Sequence, residues 1–301
     1  MKKIAIILAI IVLAASTAFF GYRIQLRGQS VERILASQRL QNYGINIEIP
    51  QYSHYRFMGR DELAVEVALR VQGTYGTYYF TPGGLTDRLI ADIVHVSEEG
   101  MRFALDKLGV SVSEPLSFVF NVTRRDESLP MGWMWNGGAV FGTSTMISVP
   151  ARRMPTLIVH EAVHAILRYD NRLSNFPRVP EDNIWAGAMF LEEGLADYID
   201  FLFSQNTSRT YRTNYRTTLH DSARRTLERN NNFTDASQWG TRYAQLMAYD
   251  TAASFIYFLI EQRGGTMADF MQVFDDIYLA EKVFGAGLDE LIRKWLAYIS
   301  V

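Results

Sequence analysis

The chain has no cysteine among its 301 residues. That excludes disulfides, thiol catalysis, thiolate metal ligands and lipid attachment through a terminal cysteine, so any metal must be held by histidine and carboxylate. It is compatible with a bacterial periplasm or cell surface. Charge of one sign is also lacking. Thirty basic against 32 acidic side chains leave a formal net charge of −2, no basic stripe with interleaved aromatics stands out, and no nucleic-acid partner is expected. There is no internal repeat. Histidine is scarce, with five in the chain, so two of them one helical turn apart invite a chemical reading.

What is present is enough for one substantial core, at 48% hydrophobic and 21% charged residues. The start, Met1-Lys2-Lys3, precedes seventeen uncharged residues from Ile4 to Phe20, about 26 Å as a helix. We expect residues 1–22 to be a signal peptide or an uncleaved membrane anchor. Ser16-Thr17-Ala18 offers small residues for cleavage, and Phe19, Phe20 and Tyr22 suit an interface. Either way the rest of the chain is expected on the extracytoplasmic side, anchored or secreted.

The chemistry centres on Met154 to Tyr169, which contains H-E-x-x-H as His160, Glu161 and His164. On a helix the two histidines share one face and can reach a single ion about 2 Å away. Neutral imidazole suits Zn²⁺, which needs a third ligand and, for catalysis, an open position. The candidates are Glu193 and its neighbour Glu192 in F-L-E-E-G-L-A-D-Y, the former separated from His164 by 28 residues. That gap allows one helix to end and another to cross it. Asp197, at i+4 from Glu193, would point the same way and could accept the outer N–H of a ligand histidine.

His160-Glu161-Ala162-Val163-His164 followed by Glu193-Gly194-Leu195-Ala196-Asp197 resembles the gluzincin zinc metallopeptidases, the group of the thermolysin-like and aminopeptidase N-like families. The resemblance runs from about Gly132 to Gly265, with a longer connection between the two motifs than in the best-known members. It implies one Zn²⁺ held by His160, His164 and Glu193, Glu161 as general base, and a peptide or protein substrate. The same resemblance places Ala139 to Val149, and Ala139, Val140, Phe141 and Gly142 in particular, where a substrate backbone would pair. The glutamate that grips a free amine in the aminopeptidases has no counterpart between Glu127 and Glu161, so an endopeptidase is expected. For the oxyanion, Tyr249 matches best, with Tyr243 and His220 as alternatives. The rival from another class is a catalytically silent scaffold or chaperone of the envelope.

We therefore expect an α+β, zincin-like fold: a small amino-terminal mixed sheet over about residues 45–150, then a mainly helical half over about 151–301, in one catalytic domain spanning 23–301. Alternation at Ile45 to Ile49 and Leu63 to Val71 predicts strands, as does the β-branched and aromatic run Leu116 to Val122. Gly73 to Gly84 reads as a turn or loop. Thr86 to Leu108 reads as a helix interrupted by an exposed Ser97-Glu98-Glu99-Gly100. His95 there is expected to be structural or superficial. Helices are also expected at Ser30 to Tyr43, Thr241 to Gly265, Met267 to Tyr278 and Leu288 to Ile299, with a loop at Ser174 to Asn183. The arginine-rich Arg209 to Arg229 suits a solvated helix or flap.

Overall fold

The structure is a computed structural model that describes residues 38–48, 54–57, 60–82, 85–122, 137–141, 144–149, 157–172, 184–207, 219–229 and 249–299. It is α+β, with a small mixed sheet and a mostly helical remainder. Residues 1–22, Gly142, Tyr243 and the expected loop at 174–183 lie outside the described residues. Among the described residues, no helix is long and apolar enough to cross a membrane.

Six strands form the main sheet: β1 (Ile47–Glu48), β4 (Leu69–Gln72), β5 (Gly76–Phe80), β6 (Leu116–Val122), β8 (Ser144–Val149) and β7 (Gly137–Phe141), in that spatial order. The β5–β6 and β6–β8 pairs are parallel and the others antiparallel. A separate antiparallel ribbon joins β2 (His54–Phe57) to β3 (Arg60–Glu66). Period-two patterning decides what each face meets. Tyr78 and Phe118 lie opposite each other, as do Phe80 and Phe120, with ring centroids 5.7 and 5.1 Å apart, and all four belong to the core shared with the helices. The intervening Tyr79, Val119 and Met146 turn to the other face, where Tyr55 and Val65 of the ribbon cover them.

Two sequence expectations are corrected here, and the strands expected over Leu63 to Val71 are present but divided. Leu63 to Val71 keeps its alternation, but the chain leaves the ribbon after Glu66 and enters the main sheet at Leu69, so one run serves two sheets. The stretch expected as a loop from Gly73 to Gly84 contains β5, whose inward Tyr78 and Phe80 pair with β6; the flanking glycines disguised a buried strand. The helix α1 (Asp87–Leu108) is continuous through Ser97 to Gly100. Ser97 and Gly100 are buried rather than exposed, because this is the face laid against the next helix. A Cβ at Gly100 would stand 2.7 Å from Val159 Cγ2, so only glycine permits that approach.

Both ends of α1 follow the residue chemistry expected of them. The Thr86 side chain accepts from Leu89 N at the start, and Gly109 takes a left-handed φ of 64° at the end. In its middle, the Glu98 carboxylate accepts from the backbone N–H groups of Thr74, Tyr75 and Gly76 and from the Tyr78 hydroxyl at 2.6 Å. This ties α1 to the β4–β5 turn. His95 on the same helix is exposed.

The helical half begins with α2 (Ile158–Tyr169), which packs on α1 and on strands β7 and β8. From Leu157 to Leu167 every residue is buried, and only His160, Glu161 and His164 among them are polar. Next, α3 (Ile184–Thr207) crosses α2, and α4 (Leu219–Arg229) buries only Leu219, Ala223 and Leu227, the one-stripe pattern of a solvated helix. Then α5 (Tyr249–Tyr257) runs into a π-helical turn, Phe258–Gln262, and Gly264 ends it at φ 72°. After it come α6 (Met267–Asp275), opened by a Thr266–Asp269 capping box, α7 (Ala280–Phe284) and α8 (Leu288–Ile299). The helix expected over Met267 to Tyr278 stops at Asp275, and Ile277–Leu279 is a separate 3₁₀ turn. One apolar core runs from Leu40 through the sheet to Trp295.

Candidate metal centre

Buried polar groups need partners, and α2 carries three of them into an apolar interior. The two histidines find theirs on α3. His160 Nε2 and His164 Nε2 lie 3.1 Å apart, and each faces Glu193 Oε2, at 3.2 and 3.3 Å. The outer nitrogens are held from behind: His160 Nδ1 lies 2.7 Å from Asp197 Oδ1, and His164 Nδ1 lies 2.6 Å from Glu192 Oε1. Since a carboxylate only accepts, each Nδ1 carries the proton and each Nε2 turns a lone pair inward.

That arrangement calls for positive charge at its centre. Two lone pairs and a carboxylate oxygen converge within hydrogen-bonding range of one another, and Glu193 Oε2 is buried without any hydrogen-bond partner. Three ligands about 2.0–2.1 Å from one ion in a tetrahedral array lie about 3.3–3.4 Å apart, close to the separations seen here. His160, His164 and Glu193 thus form a group that could bind a metal, and Zn²⁺ fits its nitrogen and oxygen donors.

Without an ion, protons supply part of that charge. Burial works against a charged His160, but its hydrogen bond to Asp197 and the nearby Glu193 carboxylate outweigh it and push the ring up to about 9. Burial likewise opposes a charged His164, and Glu192 followed by Glu193 raises it well above its ordinary value. For Glu193, burial favours the neutral acid, yet the two imidazoles hold it far below the usual carboxylate range.

Local structure explains why these side chains meet. Glu193 and Asp197 are one turn apart on α3, as His160 and His164 are on α2, so two stripes face each other across the crossing. Close approach from behind is provided by Gly194. A Cβ there would lie 2.8 Å from both the carbonyl carbon and the Cβ of Ala252, so α5 can press directly on α3. This brings Tyr249, the first residue of α5, edge-on to His160 with ring centroids 5.9 Å apart. Asp250 fixes that helix start, since its carboxylate accepts from Ser222 Oγ at 2.6 Å and Thr226 Oγ1 at 2.9 Å on α4.

Other candidates are placed elsewhere. Glu192, which the sequence left as a rival ligand, reaches the outer nitrogen of His164 instead of the centre. His220 is turned away: its Nδ1 meets Ser254 Oγ at 2.7 Å, and its ring packs edge-on against Tyr257 and Tyr298. Ala139, Val140 and Phe141 lie on β7, the last strand of the sheet order, beside α2. The expectation that pairing positions extend to Val149 is corrected, because β8 is bonded on both sides, to β6 and β7, and has no free edge.

No family model and no curated protein matches the sequence. Among solved structures, the chain is similar to an M1 zinc metallopeptidase from Deinococcus radiodurans, with 15% identity and a TM-score of 0.43 over 84% of this chain and 61% of that one. The chain thus spans about three fifths of that protein's length. A likeness that distant carries no weight for the chemistry, which rests on the side chains themselves.

Proposed function

We propose that the protein is a zinc-dependent peptidase, acting as an endopeptidase on the extracytoplasmic side. One observation carries the reading: His160 Nε2, His164 Nε2 and Glu193 Oε2 converge at 3.1–3.3 Å while Asp197 and Glu192 hold both rings from behind. A binding scaffold needs neither a buried carboxylate inside the histidine pair nor an oriented tyrosine beside it. The extracytoplasmic placement rests on Lys2, Lys3 and the apolar run after them, which would anchor the chain in the membrane if it is not cleaved.

Bound at this centre, Zn²⁺ would supply Lewis-acid polarisation of a carbonyl and acidify water. Glu161, buried next to His160, is the residue to take the proton of the attacking water and hand it to the leaving amide nitrogen. Tyr249 is the hydroxyl donor for the developing oxyanion. An extended peptide would pair with the edge of β7 at Ala139 to Phe141, where backbone hydrogen bonds give affinity with little demand on side chains.

The test is to incubate the purified chain with an unfolded protein, with and without a chelator, and then with zinc restored. Cleavage that chelation abolishes and zinc restores is expected. Glu161→Gln should keep stoichiometric zinc and lose about 10²- to 10⁴-fold in rate. Zinc bound without cleavage of any peptide would overturn the enzymatic reading in favour of a scaffold.

A further inference from the structure

Glu192 enters the zinc reading only as an acceptor behind the His164 ring, and its geometry carries more than that. Its Oε1 lies 2.6 Å from His164 Nδ1, alongside the 2.7 Å contact that Asp197 makes with the outer nitrogen of His160. The nitrogen it meets points away from the centre, so Glu192 cannot share the ion with Glu193 in this arrangement. We infer that Glu192 is a positioning residue: an anionic acceptor that fixes the tautomer and aim of His164, and through them the zinc affinity of the centre. This rests on the zinc reading and deepens it.

The paired design follows from helix geometry. Asp197 sits on the same stripe of α3 as Glu193 and reaches His160 with a short side chain that is 2% exposed. Glu192, one residue before Glu193, is turned about 100° round the helix and approaches from the flank, with its side chain 18% exposed. A flank position needs the longer reach of glutamate, as the inner position needs the shorter aspartate. The adjacent pair Glu192-Glu193 therefore divides into two tasks, one carboxylate behind a ring and one in front of it. A charged acceptor makes the imidazole a stronger donor than a neutral acceptor would.

The discriminating measurement is zinc affinity of the full chain, by competition with a chromophoric chelator, alongside the visible spectrum of the Co²⁺-substituted protein. Wild type, Glu192→Gln, Glu192→Asp, Glu192→Ala and Glu193→Ala are compared. The Gln variant keeps size and an acceptor but loses charge, so about a tenfold loss of affinity is expected. Ala should approach a 100-fold loss. Asp, one methylene too short, should behave like Ala. All three should retain one zinc per chain and a tetrahedral Co²⁺ spectrum, whereas Glu193→Ala should lose that spectrum.

The Gln variant carries the test should Ala fail to fold. Wild-type affinity in both Gln and Ala would overturn the inference while leaving the zinc site intact. Loss of the tetrahedral spectrum in Glu192→Ala with its retention in Glu193→Ala would exchange the two roles and overturn it as well. No zinc binding by the wild type would sink the underlying reading, a result distinct from either.

Discussion

Replacing Gly194 with alanine sets two opposing effects against each other, and the structure decides which wins. Alanine is favoured over glycine inside a helix by about 1 kcal/mol, so an unobstructed site would be stabilised. At Gly194 the new methyl would stand 2.8 Å from the carbonyl carbon and Cβ of Ala252 and 3.0 Å from its oxygen. Carbon atoms pack at about 3.5–4.0 Å, so α3 and α5 must part by up to about 1 Å. The obstacle is largely backbone and cannot swing aside. Overpacking of this kind costs about 1–3 kcal/mol, which leaves a net loss of about 0–2 kcal/mol after the propensity gain. The sharper consequence is local: Glu193 is the preceding residue, and its oxygen must stay where both imidazoles lie 3.2 and 3.3 Å away. Coordination tolerates errors of about 0.2 Å, so at least a tenfold loss of zinc affinity is expected. Thermal melting with and without zinc, with a chelator competition, measures both effects. A variant that melts higher than wild type and binds zinc unchanged would refute the close-approach argument.

Tyr249→Phe should lower kcat by about 10²- to 10³-fold with KM little altered, as for the loss of one oxyanion donor; a change confined to KM would move Tyr249 to substrate binding. Zinc affinity should rise with pH, by up to about 100-fold per unit where both histidines start protonated, and the rise should flatten once pH has passed the raised values of the two rings, about 9 for His160, because the ion displaces a proton from each ring. The metal-free protein should show the opposite trend. Both histidines are raised above their unfolded values, so the stability they contribute is full below about pH 6.5 and lost as pH climbs through their raised values, about 9 for His160, which melting curves across that range would register. Glu98→Gln should cost about 2 kcal/mol in denaturant unfolding, since an amide cannot serve three backbone N–H groups and the Tyr78 hydroxyl as a carboxylate does; an unchanged midpoint would remove Glu98 from the link between α1 and the sheet.

The elements that were legible in the sequence are those whose punctuation is local. Thr86 and Gly109 bracket α1 because a side-chain oxygen and a missing Cβ act on their own few residues. β6 was legible from its run of apolar and β-branched residues. What was not legible depends on a partner far along the chain. β5 looked like a loop because glycines flank it, and only pairing with β6, some forty residues later, makes Tyr78 and Phe80 interior. Gly100 looked like a break in α1 for the same reason. In isolation it weakens a helix, but against Val159 it is what lets two helices touch.

The candidate site divides along the same line. His160 and His164 share a helix face by spacing alone, and so do Glu193 and Asp197, so each stripe could be written down before any fold was known. Spacing could not say which of Glu192 and Glu193 faces the centre, because adjacent residues differ by about 100° and the answer depends on how α3 is rolled against α2. Gly194 permits the observed roll: with no Cβ, the α3 surface at this position seats on Ala252 of α5, and Glu193 before it faces the histidines. The same close approach of α5 sets Tyr249 beside His160, so a contact that spacing alone does not announce bears on Glu193, on Glu192 behind His164 and on the tyrosine together. Glycine after the glutamate therefore bears on the centre itself: it lets α3 seat on α5 with Glu193 facing both ring nitrogens and Glu192 behind His164.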